Sequence, residues 1–129
     1  MGIPILYALT YPHRLPCPAP ALDLTRVGQL TFYEPDYEAF PCLSLARQAL
    51  SAGGTAPSVL NAANEVAVSA FLEGQIRFSD IASLISAALS RYPARELRSL
   101  DDCVLVDREV RRWVTEAIGK MTATHTVPR

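Results

Sequence analysis

The chain has 129 residues, 50% hydrophobic and 19% charged, which suits one globular domain of ordinary size and excludes a disordered segment. A formal net charge of -1 gives no general pull towards phosphate backbones, so wholesale nucleic-acid binding has no electrostatic basis. The three cysteines, Cys17, Cys42 and Cys103, are widely spaced without a C-x-x-C pair, which suggests reduced thiols rather than a zinc ribbon or a disulfide framework. No apolar run approaches the roughly 18 to 20 residues of a membrane span, and "MGIPILYALTYPHR" lacks the charged start and cleavage site of a signal peptide. A soluble, cytoplasmic chain is the expectation.

In chain order, "IPILYALTY", Ile3 to Tyr11, is a short apolar segment with Pro4 suited to a first helical turn and Pro12 closing it. Its pattern fits either a short helix or a strand. Pro12, Pro16, Pro18 and Pro20 then crowd "YPHRLPCPAPALDL", where repeated loss of the backbone donor forbids helix and favours an extended linker. "LTFYEPD", Leu30 to Asp36, reads as one β-strand stopped at Pro35. A lone strand has no ladder partner, so its donors and acceptors must find another strand, another chain or solvent.

From Pro41 the pattern is helical. One helix is expected from about Pro41 to Ala52 with Gly53-Gly54 as its stop, and a second from about Ala56 to Glu73 with Pro57 in its first turn and Gly74 beyond its end. A third, capped by Ser79, carries Ile81, Leu84, Ile85, Ala88 and Leu89 on one face and ends before Pro93. A fourth starts at Ser99 with Asp102 three residues on and continues to about Gly119. The expected fold class is therefore mainly α, a small four-helix bundle preceded by a Pro-rich linker with one short helix and one strand. The expected divisions are a leader over residues 1–40, the bundle over 41–121 and a disordered tail over 122–129.

Within the second helix, "SVLNAANEVAVSAFLEG", the side chains of Asn61, Asn64 and Glu65 interrupt a run that is apolar nearly all round. A helix of that kind is usually central, and buried polar groups need partners. The trio is expected to be a structural polar cluster bonding the backbone of a neighbouring irregular segment. The alternative is a metal or substrate site, although one carboxylate with two amides makes a poor cage for a divalent ion.

Other candidates resolve to ordinary structural roles. His13 and His125 have no carboxylate or thiol at ligand spacing, and no G-x-S-x-G, H-E-x-x-H or P-loop occurs. Asp101 and Asp102 suit the first turn of a helix, Arg108 to Arg112 read as a solvated face, and Trp113 falls on an apolar stripe.

"PILYALTYPHR", "LDLTRVGQLTFYEPDYEAFPCLSLA" and "LNAANEVAVSAFLEGQIRFSDI", in that order, resemble the C-terminal portion of the 1-deoxy-D-xylulose-5-phosphate reductoisomerase family, over Met1 to about Met121. The resemblance implies a longer enzyme with an NADPH-binding Rossmann domain, a catalytic domain, a linker and a terminal helical bundle. Such an enzyme uses Mg2+ or Mn2+ and NADPH to make 2-C-methyl-D-erythritol 4-phosphate for non-mevalonate isoprenoid synthesis in bacteria. It further implies that the nucleotide loop, metal-binding carboxylates, phosphate-binding residues and lid all precede the matched region, so no catalytic, cofactor or metal residue is assigned in this chain. The lone strand would belong to the catalytic domain's sheet.

The expectation is thus a separated C-terminal region that braces the missing NADPH-binding and catalytic domains and is inactive alone. The alternative is a free-standing helical interaction module, acting through strand addition or by self-association along Leu30 to Pro35. Complementation of a separately encoded N-terminal half is a third possibility.

Overall fold

The computed structural model describes residues 2–17 and 19–125. Two compact units divide the chain, Met1–Glu34 and Pro35–Arg129.

The first unit contains α1, Gly2–Thr10, and a single-turn α2, Leu24–Val27. The undecided apolar start is thus a helix. The Thr10 hydroxyl bonds the carbonyls of Leu6 at 2.9 Å and His13 at 2.8 Å, closing the turn where Pro12 forbids continuation. In α2, which the sequence reading did not anticipate, the Asp23 carboxylate accepts from the Thr25 N–H at 3.0 Å, and Gly28 follows with φ of 73°.

Leu30 to Pro35 forms no strand, and no strand occurs among the described residues. This corrects the expected strand. An extended segment becomes one only by pairing its backbone, and the described residues offer it no ladder.

The second unit is helical throughout. It comprises α3 (Cys42–Ala52), α4 (Ala56–Leu72), α5 (Phe78–Arg91) and α6 (Leu100–His125). Glycines end α3 and α4 as anticipated: the Gly53 N–H reaches the Ala49 carbonyl at 3.1 Å, and Gly74, with φ of 73°, turns the chain so that the Gln75 N–H meets the Ala70 carbonyl at 2.8 Å. Two boundaries differ. Ser79 lies inside α5, because the Asp80 carboxylate reaches back to the Arg77 N–H at 2.9 Å and starts the helix earlier. Gly119 does not end α6, since Ile118 is buried and Met121 packs on the core beyond it, and that contact outweighs the roughly 1 kcal/mol an interior glycine costs. The expected tail is consequently helical to His125, and residues 126–129 lie outside the described residues.

Ser99 and Asp102 form the expected start of α6. The Ser99 hydroxyl accepts from the Asp102 N–H at 3.3 Å, and the Asp102 carboxylate accepts from the N–H groups of Ser99 at 3.2 Å and Arg98 at 2.9 Å.

Helix α4 touches each of α3, α5 and α6, whereas α3 and α6 do not meet among the described residues. The four helices therefore make a flattened bundle whose short diagonal is the α4–α5 pair. Side-chain size explains the flattening: Ala62, Ala63, Ala67 and Ala70 of α4 and Ala88 of α5 are buried, and such small residues let helix axes approach closely. Ile85, Val59, Val110 and Val114 fill the remaining centre.

At the α3–α4 corner the Thr55 N–H bonds the Arg95 carbonyl at 2.9 Å and the Arg95 N–H returns to the Thr55 hydroxyl at 3.0 Å. Thr55 is the one buried polar residue among the described residues, and this reciprocal pair satisfies it. Gly54 has φ of 51°, and a Cβ there would overlap the Arg95 carbonyl oxygen. The Gly54 side of the corner is thus filled by protein backbone.

Candidate helical docking surface

Helix α4 carries the polar trio, but the structure separates its members. Asn61 and Glu65 are exposed and Asn64 is half-buried. Expecting all three to be buried gave too much weight to the apolar residues between them. Val68 and Leu72 share their side of the helix, and Leu72 is 77% exposed, so that side is open.

Glu65 pairs with side chains rather than backbone. Its carboxylate accepts from the Asn61 carboxamide at 3.2 Å, one helical turn earlier, and from the Arg111 guanidinium of α6. Arg111 is also held by Asp107 at 2.8 Å. Basic Arg108 to Arg112 is therefore not simply a solvated face, because Arg111 ties α6 to α4. The Arg111 guanidinium, then the Asn61 carboxamide, hold the Glu65 carboxyl below its usual range. Asp107 and then Glu65 raise the Arg111 value in turn. The Asn64 side-chain carboxamide has no hydrogen-bond partner among the described residues.

Two grooves follow the α4–α6 seam. One of about 610 Å³ is lined by Glu65, Ser69, Glu73, Arg111 and Thr115, and another of about 460 Å³ by Pro57, Ser58, Asn61, Cys103, Val104 and Asp107. Early residues of α4 face early residues of α6, and later face later, so the two helices run in the same direction. Trp113 is half-buried and meets Tyr92 edge-on at 6.3 Å between ring centroids, which makes it part of the packing.

Metal and nucleotide chemistry do not fit the residues present. Among the described residues no group of three or more His, Cys, Asp or Glu could hold a metal ion. The Glu65 and Asp107 carboxylates already face a guanidinium, which would repel a cation. Of the paired glycines, Gly54 closes on the Arg95 carbonyl rather than opening as part of a phosphate cradle. His13 is exposed, and the three cysteines are free and half-buried. No helix among the described residues is long and apolar enough to cross a membrane.

Such an arrangement defines a helical packing domain, with a closed core and an open, partly apolar flank. The model of the DXP reductoisomerase C-terminal domain matches residues 1–113, and the chain belongs to that family. It is similar to the 1-deoxy-D-xylulose 5-phosphate reductoisomerase of Pseudomonas paraeruginosa, at 49% identity over 123 residues covering 92% of this chain and 31% of that protein. The Shewanella piezotolerans enzyme of the same name is 44% identical over 121 residues, 94% of this chain and 31% of that protein. Among solved structures, the Zymomonas mobilis reductoisomerase in complex with NADPH superposes with a TM-score of 0.79 at 41% identity, covering 90% of this chain and 31% of that one. The chain thus spans about a third of the length of these relatives.

Proposed function

We propose that this chain serves as the C-terminal structural domain of a 1-deoxy-D-xylulose 5-phosphate reductoisomerase, bracing NADPH-binding and catalytic domains that carry the chemistry. The supporting observation is the family match over residues 1–113 in a chain that spans about 31% of its relatives' length. In this reading NADPH and Mg2+ or Mn2+ are held by the remainder of the enzyme, in a bacterial cytoplasm, and this chain contributes no group to the reacting atoms. Residues 1–40 act as the end of the catalytic domain and a Pro-rich linker, and Leu30 to Pro35 becomes a strand once the sheet of that domain lies beside it. Phe32, 84% exposed, and Tyr33, 87% exposed, supply β-favouring side chains that lack cover here.

The experiment is complementation in trans. The chain is co-expressed with the first two-thirds of the Pseudomonas paraeruginosa relative, and NADPH oxidation is followed with 1-deoxy-D-xylulose 5-phosphate. Activity from the pair, with none from either piece alone, is the expected result. Turnover by this chain unaided, or an inactive pair, refutes the reading.

A second reading rests on the same exposed backbone. A free-standing module could add Leu30 to Pro35 to the sheet edge of an unrelated partner, or pair two copies through it. Under that reading the pair stays inactive and the chain dimerises, with Thr31→Pro abolishing the dimer.

A further inference from the structure

Along α4, Pro57, Asn61, Asn64, Val68 and Leu72 recur at three- and four-residue spacing and so lie on one side of the helix. Each is exposed or half-buried, whereas Ala56, Val59, Ala63, Ala67 and Ala70 on the other side are buried. At the start of the helix this side borders the 460 Å³ groove that Pro57 and Asn61 share with Val104 of α6, which is itself 50% exposed. The result is an apolar strip interrupted by two carboxamides.

The carboxamides limit what can cover it. Asn64 spends none of its hydrogen-bonding capacity among the described residues, and Asn61 spends one donor on Glu65 and keeps its carbonyl free. A purely apolar helix laid here would bury those groups unpaired, at roughly 1 to 3 kcal/mol each. A side-chain amide offers the same donor and acceptor as a peptide group, so an extended main chain satisfies both residues while its own small apolar side chains meet Pro57, Val68, Leu72 and Val104. Net charge plays little part, because Glu65 and Arg111 neutralise one another at the edge.

We propose that this side of α4 seats an extended, main-chain-presenting segment from the remaining two-thirds of the enzyme. The inference rests on the reading given under Proposed function. The occupant follows from length: this chain spans 31% of its relatives, so about two-thirds of their length lies outside it, and a bracing domain must meet that remainder somewhere. The competing apolar strip on α3, Leu43 and Leu50, has Arg47, stacked on Tyr37, between them instead of a carboxamide, and α3 does not meet α6 among the described residues.

The test uses the full chain co-purified with the tagged first two-thirds of the Pseudomonas paraeruginosa relative. Asn64→Leu removes the amide at nearly constant size, Leu72→Lys charges the strip, and Leu50→Lys on α3 is the control. The first two are expected to weaken association about tenfold, with the control within about twofold, at unchanged melting temperature of the isolated chain. The side-chain amide resonances of Asn61 and Asn64 in a 15N-labelled chain are expected to shift on association. If wild type fails to associate, both the inference and the reading beneath it are lost. If wild type associates and restores activity while the α4 variants match it, or only the α3 variant weakens, the inference alone falls. Dimerisation of the isolated chain that Leu72→Lys abolishes makes a second copy the occupant, and also overturns it.

Discussion

Glu65 and Gly54 show two ways in which a single residue governs this chain. The Glu65 carboxyl, ordinarily at 4.5, is lowered first by the Arg111 guanidinium and then by the Asn61 carboxamide. Asp102, ordinarily at 3.8, is lowered chiefly by the Arg98 N–H. A lowered carboxyl value means that the folded state binds protons more weakly than the unfolded one, so its stabilisation is present above the unfolded value and is lost as pH falls through the folded value. The melting temperature is therefore expected to hold near neutrality and drop as pH falls below 4.5. Glu65→Gln is expected to shrink that acid-side drop, and calorimetric melts across pH would show it; an unchanged profile would mean that solvent screens the pair completely. Gly54 works through shape instead. Gly54→Ala combines a left-handed backbone with overlap on the Arg95 carbonyl and is expected to cost about 2 kcal/mol or more in urea unfolding. Gly53→Ala meets no atom within 4 Å, but φ of 66° with ψ of -154° is backbone essentially reserved for glycine, so it is expected to cost about 1 to 3 kcal/mol from strain alone.

At the scale of the element, the pattern of α4 announced a central helix, and the structure agrees: α3, α5 and α6 all rest on it. What the pattern concealed was how little of its apolar surface is covered. Its buried residues are almost all alanines, so the centre depends on close approach rather than bulk. Ala63→Leu is expected to overfill the packed centre around α4 and destabilise by about 1 to 3 kcal/mol. Ile85→Val, a single methylene from the centre, is expected to cost about 0.5 to 1.5 kcal/mol. Chemical denaturation resolves both, and a neutral Ala63→Leu would mean that the helices can part without loss. Helix starts and stops were legible where they rest on local chemistry, as with Gly53, Gly74 and the Ser99–Asp102 box. They were misread where a neighbouring side chain decided, as when Asp80 moved the start of α5 and core contacts carried α6 past Gly119.

For the whole molecule, the division into Met1–Glu34 and Pro35–Arg129 separates a leader with little core of its own from a bundle with a closed one. Removing residues 1–34 is accordingly expected to leave the cooperative melt of the bundle within a few degrees of the intact chain, as followed by circular dichroism. A collapse of the transition would show that the leader is part of the core. Periodicity, glycines and capping residues were enough to read four helices and their order, because each of those signals acts within a few residues along the chain; the reductoisomerase family was read instead from the likeness of whole phrases such as "LNAANEVAV". The strand was not legible, since strand character depends on pairing with backbone that lies elsewhere. Nor was the tie between Glu65 and Arg111, 46 residues apart, or the openness of the Asn64 side of α4, because the crossing of helices alone decides which polar groups meet and which stay free.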